Sequence, residues 1–135
     1  MPTISGSCLC GQVRYSAHAE AAFVGVCHCH DCQKFTGSAF ATVIGLPKSS
    51  VTVTGTLKGF TKPGDSGMPI ERRFCPECGA SVLDEAAALP GIVMIAAGTL
   101  DDSSWLKPAS EIYCASAQSW VELGGGMKRF DRMPG

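Results

Sequence analysis

The sequence predicts a mainly β protein of short strands with minor helical turns, and two observations carry that expectation. Glycine and proline are over-used, with 16 Gly and 8 Pro in 135 residues, so the backbone turns often and long helices are disfavoured. Apolar and polar residues alternate in short runs bounded by turn residues, which is the period of a half-buried strand. In "QVRYS" Val13 and Tyr15 share one face and Arg14 and Ser16 the other, and "VTVTG" repeats the pattern until Gly55.

Taken in order, the expected strands run from Gln12 to Ser16, Ala22 to Cys27, Ala39 to Leu46, Val51 to Thr54, Ile70 to Phe74, Ile92 to Ala97 and Glu111 to Ala115. "HDCQKFTG" reads as one helical turn ended by Gly37, and "SVLDEAAALPG" as a second short helix stopped by Pro90. The clearest loop is "TKPGDSGMP", from Thr61 to Pro69. At this length residues 1–135 are expected to form one domain around one core.

Charge and hydropathy exclude several function classes. The formal net charge is −1, with Lys and Arg scattered along the chain, so no basic footprint for nucleic acid is present. The longest apolar stretch, "GIVMIAAGTL" from Gly91 to Leu100, falls well short of the roughly 18 residues a membrane span needs. "MPTISGSCLC" lacks the basic start and apolar run of a secretion signal, so a cytoplasmic location is expected. In that reducing setting, eight cysteines point to metal ligation or thiol chemistry before a disulfide framework.

The spacings sort seven of those cysteines into two groups. "FCPECGA" places Cys75 and Cys78 two residues apart around Pro76, with Gly79 free to take a positive φ that turns backbone N–H groups toward the sulfurs. A closed tetrahedral site needs two further thiolates, and "SCLCG" offers them. In an extended segment Cys8 and Cys10 would share a face, and Gly11 would let the chain bend away. Zinc is the expected ion, although a four-thiolate set also suits iron. In "VCHCHDC", Cys27, Cys29 and Cys32 converge without a fourth local sulfur. Three protein ligands with one position open is the pattern of a catalytic zinc.

The neighbouring residues read more plainly. His28 and His30 alternate with the cysteines and should face the opposite way. Cys114 in "EIYCAS" reads as a buried, inert thiol in an apolar strand, with a displaceable fourth ligand as the alternative. Lys34, Arg72 and Arg73 are cations suited to substrate carboxylates. Trp105 and Trp120 are expected in the core or as pocket walls.

Taken together, "GSCLCGQVRY", "CHCHDCQKFTGSAF", "RRFCPECGA", "IAAGTLDD" and "SWVEL" resemble the glutathione-dependent formaldehyde-activating enzyme family over nearly the whole chain. The resemblance implies a small zinc-bound β-tent fold of several short antiparallel sheets. It implies two zinc ions: a structural zinc on Cys8, Cys10, Cys75 and Cys78, and a catalytic zinc on Cys27, Cys29 and Cys32. It further implies a carbon–sulfur lyase whose partners are a small-molecule thiol, glutathione, and a small aldehyde, formaldehyde. Where many relatives carry a His ahead of the strand near the C-terminus, this chain has Glu111.

The expected mechanism binds a thiol at the open position, lowers its pKa and directs its attack on a carbonyl carbon, with Lys34, Thr36 or Ser38 polarising the oxygen. Two alternatives belong to other classes: a non-catalytic zinc-binding interaction module, for which the chain lacks the expected basic extension, and a thiol redox or metal-handling protein.

Overall fold

Alternating runs become strands wherever a partner strand can take up their backbone groups. The computed structural model describes residues 2–134. In chain order these form β1 (Thr3–Ser7), β2 (Arg14–His18), β3 (Phe23–Cys27), α1 (His30–Thr36), β4 (Ala41–Pro47), β5 (Val51–Thr54), β6 (Lys58–Pro63), β7 (Pro69–Phe74), β8 (Ser81–Ala86), β9 (Ile92–Ala96), β10 (Ser110–Ile112) and β11 (Lys128–Arg129). The protein is thus mainly β, as its composition predicts. Three strands make a small sheet in the order β1-β2-β5, and eight make a large one in the order β11-β10-β3-β4-β9-β8-β7-β6. Pairing is antiparallel except at β10, which runs parallel to both β3 and β11.

One face of the large sheet packs on the small sheet. Ile44, Ile95 and Leu83 lie directly opposite one another across β4, β9 and β8, so they point to the same side. There they meet Ile4, Val13, Tyr15 and Ala17 in the main core. On β2 the predicted faces hold, since Tyr15 is buried and Arg14 and Ser16 are exposed. The neighbouring positions Arg72, Asp84, Met94 and Gly45 are likewise opposite one another, and they face the other way. That second face carries α1: Ser81 Oγ donates to the Phe35 carbonyl at 3.0 Å, and Lys62 pairs with Asp31 at 2.8 Å.

Several expectations are corrected. Residues 81–86, read as the start of a helix, are the strand β8. Pairing with β7 and β9 on both sides outweighs the helix propensity of the Glu and Ala residues. The loop from Thr61 to Pro69 shrinks to residues 64–68, because β6 is the edge strand and tolerates Pro63. The last apolar run ends at Ile112, where Tyr113 adopts φ 56 and a 3₁₀ turn follows at Cys114–Ser116. Cys114 therefore lies in a turn and is only partly buried. Trp105 and Trp120 are exposed. β1, β6 and β11 had no counterpart in the sequence reading.

Gly6 marks the joint between the sheets. It bridges to Leu100, and a Cβ there would collide with the Thr99 carbonyl and the Tyr15 hydroxyl. Tyr15 itself bonds Thr99 Oγ1 at 2.6 Å, so neither neighbour can yield cheaply. Gly6→Ala is expected to cost about 1–3 kcal/mol in urea unfolding. Gly98→Ala, with open space around its Cβ, is expected to change stability by less than about 0.5 kcal/mol. Equal effects of the two substitutions would remove the joint from this account.

Candidate functional site

Two turns bring the first cysteine group together. After β1, Gly11 at φ 84 closes a turn in which its N–H donates to the Cys8 carbonyl at 3.2 Å. Cys8 and Cys10 therefore meet through a turn, where the sequence suggested an extended segment. After β7, Gly79 at φ 78 donates to the Cys75 carbonyl at 2.8 Å and closes the Cys75–Cys78 knuckle. The four sulfurs lie within 4.8 Å of one another. Cys8–Cys10 and Cys10–Cys75 are separated by 3.7 and 3.8 Å. A tetrahedron with metal–sulfur bonds of about 2.3 Å has edges of about 3.8 Å, so these sulfurs fit a closed four-thiolate site.

Hydrogen bonds favour the thiolate at two of the four sulfurs, Cys8 and Cys75, whereas the neighbouring thiols push Cys10 up to about 11. Val13 N–H donates to Cys8 Sγ at 3.3 Å, and the Gln12 amide donates to Cys75 Sγ at 3.2 Å and to the Thr56 carbonyl at 2.7 Å. Burial pushes the Cys75 thiol up, yet donors from Cys78, Gln12 and Glu77 outweigh it and bring Cys75 down to about 6. Gln12 went unrecognised in the sequence because its target lies 63 residues away.

The second group forms where β3 runs into α1. Cys27 ends the strand, Cys29 is the N-cap of the helix and accepts from Cys32 N–H at 3.3 Å, and Cys32 occupies the first helical turn. The three sulfurs lie within 4.8 Å of one another. Hydrogen bonds from the Cys27 and Cys32 thiols, with the Arg72 guanidinium adding to them, hold Cys29 far below the ordinary thiol range. The same bonds push Cys32 up, and Cys29 pushes Cys27 up. The cluster therefore favours a thiolate at Cys29, and a cation bound by all three would draw off the remaining protons. The donor set fits a three-sulfur metal site, with eight free cysteines among the described residues.

A cavity of about 340 Å³ adjoins this cluster, lined by Cys32, Phe35, Thr36, Asp84, Met94 and Thr99 among others. Its volume lies at the small end of ligand sites. Asp84 is unusual there. Burial pushes its carboxyl up to about 6, with nearby Cys29 adding to the rise and Arg72 opposing it. Asp84 Oδ1 and Arg72 Nε are buried without hydrogen-bond partners.

The remaining candidates separate by position. Thr36 lines the cavity and donates to the Cys32 carbonyl at 2.8 Å. Lys34 and Ser38 are exposed and lie outside the cavity lining. Arg72 is buried beneath the cysteines, whereas Arg73 faces the opposite way and pairs with Glu71 and Glu85. His28 is buried and bonds Glu111 at 2.8 Å, with Cys114 beside them, so Glu111 turns inward to the histidine. His30 is exposed. Gln33 ties α1 to the C-terminal segment through the carbonyls of His28 and Ser116, at 2.6 and 3.0 Å.

Three comparisons bear on this arrangement. Residues 3–116 match the family described as glutathione-dependent formaldehyde-activating enzyme. A Penicillium rubens protein named "Putative glutathione-dependent formaldehyde-activating enzyme" is 23% identical over 129 residues, which is 93% of this chain and 65% of the relative's length. A crystal structure of a Rhodobacter sphaeroides protein has a similar fold, with TM-score 0.59 and 21% identity over 77% of this chain and 91% of that one.

The raised Asp84 carboxyl has a consequence for stability. The unfolded group titrates near 3.8 and the folded one near 6, so the folded state binds more protons between those values and loses stability as pH rises through them. Asp84→Asn is expected to exceed the parent protein by roughly 1–3 kcal/mol near pH 7. Urea unfolding should show the gap closing toward about pH 4. A gap that does not change with pH would rule out a buried, raised carboxylate.

Proposed function

The chain belongs to the glutathione-dependent formaldehyde-activating enzyme family, and on that premise we propose that it is a zinc-dependent carbon–sulfur lyase. It joins a small thiol, glutathione before others, to a small aldehyde such as formaldehyde, or cleaves the adduct. The observation that carries this reading is a three-sulfur cluster whose Cys32 also lines a small cavity. The closed four-sulfur group, Cys8, Cys10, Cys75 and Cys78, is assigned the structural ion. Cys27, Cys29 and Cys32 are assigned the catalytic one.

Zinc held by three thiolates supplies an open position at which an incoming thiol ionises more easily. The chain's own residues do the rest. Phe35, Met94 and Ala96 give the cavity apolar walls, which limit the water around the reacting carbonyl. Thr36 fixes the end of α1 against the Cys32 carbonyl. Arg72 supplies positive charge beneath Cys29, and Lys34 is a solvent-facing cation for a substrate carboxylate. Eight free thiols suit a reducing compartment, so we assign the protein to the cytoplasm; among the described residues no helix is long and apolar enough to cross a membrane.

Exchange spectroscopy by NMR, with glutathione and isotopically labelled formaldehyde, tests the activity. Adduct exchange should accelerate with zinc-loaded protein and fall to the uncatalysed rate after metal removal. Identical rates with loaded and stripped protein would dismiss the enzyme reading.

Paired substitutions test the division of roles. Cys75→Ser should lose cooperative folding or most of its thermal stability, because its site ties segments 65 residues apart and structural zinc contributes on the order of 10 kcal/mol in small metal-dependent folds. Cys32→Ser closes only a short local loop, so it should melt within about 5 °C of the parent while losing one zinc and the activity. Melts and metal counts giving the reverse pattern would exchange the two assignments.

A further inference from the structure

A carboxylate in the middle of a central strand is expensive unless it is paired. Asp84 occupies such a position in β8, between β7 and β9 and opposite Arg72 and Met94. It stands on the face that carries α1, and it lines the same cavity as Cys32. Its Oδ1 is buried without a partner, and so is Arg72 Nε. An acid placed for stability would have its lone pairs satisfied. Here the arrangement keeps a reactive carboxyl next to the thiol cluster at a cost to the fold.

We propose that Asp84 is the proton-transfer residue of this cavity, accepting the proton of the incoming thiol and delivering it to the carbonyl oxygen of the aldehyde. The inference rests on the function proposed above and adds to it the group that moves the proton. The step balances without an oxidant or reductant. The S–H bond breaks, the S–C bond forms, the carbonyl π pair moves to oxygen, and an O–H bond forms there. Asp84 ends as the carboxylate it was at the start, and cleavage of the adduct follows the same path in reverse.

The surroundings favour Asp84 over the other polar groups nearby. The Thr36 hydroxyl already donates to the Cys32 carbonyl, and Lys34 and Ser38 are exposed outside the cavity lining. The charged groups acting on Asp84 are Arg72 from β7 and Cys29 at the start of α1; burial dominates both and sets its carboxyl near 6. Met94 from β9 and Phe35 from α1 bring no charge. A carboxyl that lines the cavity with Cys32 and has an oxygen free of hydrogen bonds is placed both to accept and to release a proton within one turnover.

The test compares zinc-loaded parent protein with Asp84→Asn and Asp84→Ala. Asp84→Asn should keep its zinc content and its KM for glutathione within about two-fold, while kcat falls about 100-fold or more and the acidic limb of the pH profile disappears. Infrared difference spectra should show a protonated carboxylic acid that titrates with the acidic limb of the rate in the parent and is absent from Asp84→Asn. Added formate should restore part of the rate to Asp84→Ala and none to the parent, an effect a structural role would not produce. If Asp84→Asn loses its zinc, formate rescue of zinc-loaded Asp84→Ala decides, and its absence overturns the proposal. A parent that does not accelerate adduct exchange refutes the function itself. An active parent beside an equally active Asp84→Asn refutes Asp84 alone.

Discussion

Four sulfur atoms within 4.8 Å of one another bring the turn after β1 against the turn after β7, and the rest of the structure is arranged around that contact. It fixes the small sheet on the large one from the side opposite α1. Cys8 and Cys75 are fully buried beside Val13 and Val82 in the main core, so the cluster is continuous with apolar packing. A chain of 135 residues with so many glycines gives up much backbone entropy on folding. An ion held by the four sulfurs would cross-link distant segments and offset part of that loss.

That side of the large sheet is closed by core packing, while the other side borders the cavity. Strand parity makes the division: Leu83, Ile95 and Ile44 point into the core, while Asp84, Met94 and Gly45 point toward α1. A slip of one residue in β8 would exchange Leu83 with Asp84 and put a carboxylate in the core. The register shift between Arg73 and Phe74, where β8 carries the extra residue Val82, lies just past this point and leaves the pairing of Arg72 with Asp84 intact. Core packing and cavity lining are thus set by one register. The unsatisfied groups on the reactive face mark where stability has been given up.

The two cysteine groups that could hold metal ions were legible because each set is built from compact motifs whose spacing carries the geometry. Cys27, Cys29 and Cys32 sit within six residues, and Gly11, Gly37 and Gly79 announce their turns. Residues defined by distant partners were not legible. Asp84 lies in "SVLDEAAA", a run rich in helix formers that becomes a strand only because two neighbours flank it. Glu111 gains its meaning from His28, 83 residues away. Trp105 was misjudged for a related reason: its indole N–H is satisfied by the Asp102 carbonyl in a local turn, so size alone did not bring it inside.

The claim on which everything else depends is that Cys27, Cys29 and Cys32 form a metal site with one position open to a thiol. Replacing zinc with cobalt(II) makes that position visible, because each cobalt–thiolate bond adds sulfur-to-metal charge-transfer absorption. Titration with glutathione should raise the absorption by one thiolate per chain and then saturate, and Cys32→Ser should show no such rise. A spectrum of the parent protein that glutathione leaves unchanged would contradict the account.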